Sequence, residues 1–113
     1  MATRESAASA KNLPPRRPPT WTFLTNHGHV LVCIAQNSDV LISEIADLVG
    51  IGERAAHRIV CDLVNDGYVL RKKDGRRNAY AVNYDRPLRH PLESAHSIGE
   101  IFGALAGSPR GRR

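Results

Sequence analysis

At 113 residues and 42% hydrophobic composition, the chain has material for one compact core and little beyond it. Its formal net charge of +5 suits a polyanionic partner. No stretch approaches the apolar length that spans a bilayer and the N-terminus has no apolar signal-like core, so no membrane partner and a cytoplasmic location are expected. The charge is unevenly placed. Residues 22–65 carry five acids against two arginines, a net −3. Residues 71–77 carry Arg71, Lys72, Lys73, Arg76 and Arg77 against Asp74 alone, a net +4. Cys33 and Cys61 sit far apart in apolar periodic segments, which favours buried free thiols in a reducing compartment over a disulfide.

Residues 1–19 combine Ala, Ser, Pro and charge, ending in Pro14-Pro15-Arg16-Arg17-Pro18-Pro19. Such a segment buries too little apolar surface to offset its ordering entropy, and an extended arm is expected. Structure should begin near Trp21. Thr25 or Asn26 can cap a first helix over 27–36, whose run from Val30 to Ala35 is apolar all round; a helix of that kind is covered on several sides, which points to a partner subunit. Val40, Leu41 and Ile42 read as a short extended piece. Ser43 then caps a second helix with Ile45, Leu48 and Val49 on one face and Gly50 as its left-handed stop. After Gly50-Ile51-Gly52, a third helix carries Ala56, Ile59, Val60, Leu63 and Val64 on one stripe and closes at Gly67. Two short helices joined by a glycine-bearing turn make a helix-turn-helix.

Asp74-Gly75 lies between two β-prone runs and predicts a hairpin with those two residues at its turn. That register sets Lys73 opposite Arg76 and Lys72 opposite Arg77, a like-charge conflict that phosphates would relieve. Further on, Ser97 and Glu100 have capping-box spacing ahead of Ile98, Ile101, Phe102 and Leu105, an amphipathic last helix placed in 91–107 and followed by a basic tail, 108–113.

Three runs occur in fixed order ahead of the basic hairpin: Ser43-Glu44-Ile45-Ala46-Asp47-Leu48-Val49-Gly50-Ile51, Arg58-Ile59-Val60-Cys61-Asp62-Leu63 and Asp66-Gly67-Tyr68-Val69. With that hairpin they resemble the winged-helix domain of MarR-type and ArsR-type bacterial regulators, over residues 30–83. The chain departs from that pattern at Gly52, where Ser or Thr is usual, and at Ala55 and Ala56, often Thr and Val. The resemblance implies an α+β, mainly α fold: a winged helix-turn-helix, with a three-helix core and a two-stranded β-wing over 20–90, plus an additional C-terminal amphipathic helix. It also implies a transcriptional regulator, repressor or activator, bound as a homodimer to a palindromic operator in double-stranded DNA.

The residues support that expectation on chemical grounds. In a helix laid in the major groove, the non-core residues near the N-terminus meet base edges. Here these are Glu53, Arg54, Ala55, His57 and Arg58. Arg54 suits a bidentate contact to guanine, and the Ala55 methyl a thymine methyl. Ser43 and the amides at its helix end suit a phosphate. Arg71, Lys72, Lys73, Arg76 and Arg77 would supply the sequence-independent backbone term. The bland alternative pairs Arg54 and Arg58 with Glu53 and Asp62 as solvated helix charges. Trp21, Phe23, Ile98, Ile101, Phe102 and Leu105 form the expected dimer interface. His29 and Cys33 lie four apart, half of a metal site with no second pair, so no metal or other cofactor is expected. No catalytic constellation is present and an enzyme is not expected. The rival class is a winged helix used as a protein-interaction or scaffold module.

Overall fold

The computed structural model describes residues 19–75 and 77–107; the arm expected at 1–19, all but Pro19, and the tail at 108–113 lie outside them. The described chain is α+β and mainly helical. Helices α1 (Asn26–Gln36), α2 (Ile42–Val49) and α3 (Glu53–Asn65) precede an antiparallel pair, β1 (Val69–Asp74) and β2 (Arg77–Val82), and α4 (Ile98–Ala106) follows. None of these helices is long and apolar enough to cross a membrane.

Helix α1 starts where its cap does: Thr25 Oγ1 accepts from the Gly28 amide at 3.3 Å. Its apolar circumference is explained within the chain. The helix packs against α2, α3, α4 and β2, and Val30, Leu31, Cys33 and Ile34 are buried. For these residues the cover comes from the chain itself, so the apolar run is not by itself a sign of a partner subunit.

Helix α2 begins two residues earlier than expected. Leu41 is the N-cap and Ile42 the first helical residue, so Ser43 lies within the first turn and does not cap. The reason is visible at Glu44, whose carboxylate reaches back to accept from the Leu41 amide at 2.8 Å. That satisfies one of the open donors without a hydroxyl. Buried Val40 fixes the chain just before this point. The helix stops at Gly50, whose φ of +87° is the left-handed conformation that L side chains resist.

Helix α3 is capped at Gly52 by backbone alone and buries Ala56, Ile59, Val60 and Leu63. At its end the Tyr68 amide donates to Leu63 O at 2.9 Å, and the chain turns at Gly67 into β1. The hairpin register differs from the expected one. Asp74 is the partner of Arg77, Lys73 of Asn78 and Lys72 of Ala79, so the turn begins at Gly75 and not at Asp74. Gly75 has φ +66°, and primed hairpin turns need a positive φ at their first central position. Moving the turn by one residue gives glycine that position and sets Asp74, not a second cation, opposite an arginine. The facing like charges expected from sequence are therefore absent.

Helix α4 begins at Ile98, not near residue 91. Ser97 Oγ accepts from the Glu100 amide at 3.2 Å, but the Glu100 carboxylate bonds to His96 Nδ1 instead of completing the box. That hydrogen bond holds the Glu100 carboxyl below its ordinary range. Residues before α4 form a closed loop. Leu88 N donates to His96 O at 3.0 Å and Ile98 N to Arg86 O at 2.8 Å, the two strands meeting at Pro87 and Ser97. Tyr68 locks this loop to the hairpin base: its hydroxyl donates to Pro87 O at 2.7 Å, and the Arg86 guanidinium lies 5.5 Å above its ring. Ile98 and Phe102 join the same buried cluster as the residues of α1, α3 and the sheet, so α4 completes one core.

Candidate nucleic-acid interface

An α-helix advances about 100° per residue, so Arg54, His57, Arg58, Cys61 and Asn65 fall within an arc of about 100° on α3. The buried stripe of Ala56, Ile59, Val60 and Leu63 occupies the opposite side. The sequence places no acid on the outer arc. Arg54, His57, Arg58 and Asn65 are exposed and Cys61 is half-buried. Ala55 lies outside the arc and is half-buried, less available than Arg54.

The acids flanking this face do not neutralise it. Asp62 binds His27 Nε2 at 2.8 Å, across to α1. Among the described residues, neither Arg54 nor Arg58 makes an ion pair. The bland alternative of Arg54 and Arg58 paired along their own helix is therefore not what the structure contains. Arg54 stands second in the helix, next to open amides that share its positive sign.

Sequence reasoning missed two residues of this face. Cys61 was expected to be buried, yet its Sγ lies 3.9 Å from both ring nitrogens of His57, near the middle of the outer arc. Asn65 extends the arc by one more turn. Both were legible from the angular spacing: seven and eleven residues after Arg54 are close to two and three full turns.

The hairpin follows α3 after one turn and packs against it through β1. Val69 and Tyr80 anchor its inner face, and the Tyr80 amide donates to Ser38 O at 3.0 Å. Strand alternation puts Arg71 and Lys73 on the face of Val69 and Lys72 on the other. All three are exposed and none makes an ion pair among the described residues. Arg76 lies outside the described residues, and Arg77 is the backbone partner of Asp74. Ser43 is half-buried in the first turn of α2.

The residues expected at a dimer interface divide. Trp21, Phe23, Ile101 and Leu105 are exposed, whereas Ile98 and Phe102 are buried in the chain's own core. Both cysteines are free thiols, Cys33 buried in α1 and Cys61 on α3. Among the described residues no group of three or more His, Cys, Asp and Glu side chains is placed to hold a metal ion. What the arrangement offers chemically is unpaired cationic donors on an open helix face and on a strand beside it. No family model matches the sequence, and no curated protein aligns with it as a relative.

Proposed function

We propose that the chain binds double-stranded DNA with sequence preference, as a winged helix-turn-helix transcriptional regulator of the MarR or ArsR kind, in the form of a homodimer. The observation that carries this reading is the outer face of α3. It is a helical arc of Arg54, His57, Arg58, Cys61 and Asn65, without an acid and without internal ion pairs among the described residues. Leaving guanidinium groups unpaired on an ordered helix has little value for stability, because exposed charges contribute little and like charges oppose each other. Arginine at such a position suits the acceptor pair of guanine in a major groove wide enough for a helix.

The hairpin supports the same reading independently. Arg71, Lys72 and Lys73 stand exposed on a strand that leaves α3 directly, and they would meet phosphates on either side of the groove. A-form RNA attracts the same charges, but its narrow major groove excludes a helix. Exposed Trp21, Phe23, Ile101 and Leu105 support a second copy, and two copies would read a two-fold-related site.

Selection of duplexes from a random pool with the full chain tests this. Enrichment of a motif with two related half-sites, about one helical turn apart, is the expected result. A pool that binds without converging on any motif would overturn sequence-specific reading. A pool that never binds would favour a protein-interaction module instead.

A further inference from the structure

Residues 19–107 carry nine lysines and arginines against ten aspartates and glutamates, a net −1. The whole positive excess of the chain lies in residues 1–18 and 108–113, which carry +3 each. A body of that charge gains little from the long-range field of a duplex, so the sequence-independent part of the affinity needs more than the hairpin. We propose that Arg110, Arg112 and Arg113 supply it by entering the minor groove beside the site that α3 reads, with preference for A·T pairs there. The inference deepens the proposed function by adding a second contact with the same duplex, and it rests on that reading.

Three observations select this segment. The first is its place of departure. The Gln36 side-chain amide donates to Leu105 O at 3.1 Å, which fastens the last turn of α4 to the last residue of α1. Two residues further on, Ser38 O accepts from the Tyr80 amide of β2 at 3.0 Å. The chain therefore leaves α4 beside the hairpin. Arg77 is three strand residues from Tyr80, about 10 Å, and six residues beyond Gly107 span up to about 20 Å, enough to pass the hairpin and meet the duplex flanking it. Second, the other cationic segment starts elsewhere. It joins α1 at the opposite end, where His27 binds Asp62 at 2.8 Å. Asp62 stands eight residues beyond Arg54, about 12 Å further along α3. Third, the composition fits a narrow groove. All three cations are arginines, with Gly111 between the first two and no acid among them. Arginine is drawn to the narrow, strongly negative minor groove of A·T tracts, and it is less tightly hydrated than lysine. Glycine has no side chain to hold the backbone away from the floor of a groove about 6 Å wide.

The test sets the motif enriched by selection between flanks of A·T, G·C or I·C pairs and titrates the full chain by fluorescence anisotropy. Inosine lacks the guanine 2-amino group, so an I·C flank shows an A·T-like minor groove and a guanine-like major groove. Binding should be about tenfold tighter with A·T and I·C flanks than with G·C flanks. Arg110→Ala, Arg112→Ala and Arg113→Ala together should abolish that preference and lower the slope of log K against log salt by about 2–3. Arg110→Lys, Arg112→Lys and Arg113→Lys together should keep the slope and lose the preference. Both variants should melt as wild type does and still prefer the enriched motif to a scrambled one. A wild-type affinity indifferent to the flank would overturn the inference and leave the reading by α3 standing. So would a triple alanine variant that binds like wild type, or an I·C flank that behaves like G·C. A wild-type chain that binds no duplex at all would remove the DNA reading and this contact together.

Discussion

Arg54 is held in place by a helix it does little to stabilise. It stands at the second position of α3, exposed and unpaired among the described residues, on the side away from Ala56, Ile59, Val60 and Leu63. Arg54→Ala should therefore leave the melting temperature almost unchanged. Its affinity for a selected duplex should fall by about 1–3 kcal/mol, with relaxed preference at one base pair per half-site. Titration of the selected and a scrambled duplex checks this, and an equal loss on both would reduce Arg54 to a phosphate contact. Glu100 gives a prediction of a different kind. His96 holds its carboxyl below the usual range, so its charged form is favoured in the folded chain. The contribution is present above the unfolded-state pKa and is lost as pH falls through the lower folded value. Melts of wild type and Glu100→Gln should accordingly differ above the ordinary carboxylate range and converge as pH falls through the lowered folded value. A gap that persists in acid would count against the His96 contact.

At the scale of elements, much of the helical pattern was legible because it depends on local chemistry. Thr25, Gly50, Gly52 and Ser97 stand at helix ends as their side chains or backbone freedom dictate. The failures share a cause: two residues could fill one role, and a third group decided between them. Ser43 looked like the cap of α2, but the Glu44 carboxylate served the Leu41 amide and started the helix earlier. Asp74-Gly75 looked like the turn, but the register that gives Gly75 the first turn position also sets Asp74 opposite Arg77. That outcome changes the reading of the hairpin. Neither Lys72 nor Lys73 has a cation as its cross-strand partner, and removing them relieves no facing repulsion. Lys72→Ala with Lys73→Ala should leave stability unchanged. It should weaken binding to all duplexes alike and reduce the slope of log K against log salt by about 1–2. Titrations at several salt concentrations would show this, and an unaltered slope would remove the hairpin from the interface.

Over the whole molecule, the core is one unit. The first helix, apolar all round in sequence, is enclosed by α2, α3, α4 and β2, a covering that no local pattern could reveal because most of it comes from elements far along the chain. The same distance explains why Ile98 and Phe102, indistinguishable from Ile101 and Leu105 by periodicity, proved to be interior while the latter stayed exposed. What remains outside the core divides into two surfaces: the cationic face of α3 with its hairpin, and the apolar edge with exposed Trp21 and Phe23. The first of these carries the central claim. Its most direct test is the affinity of the full chain for the enriched duplex and for a scrambled duplex of equal length, measured across about 0.05–0.2 M salt. Both should weaken steeply with salt, while the enriched duplex stays tighter by about 10³-fold or more at every concentration. Equal affinities for the two duplexes, or binding indifferent to salt, would contradict it.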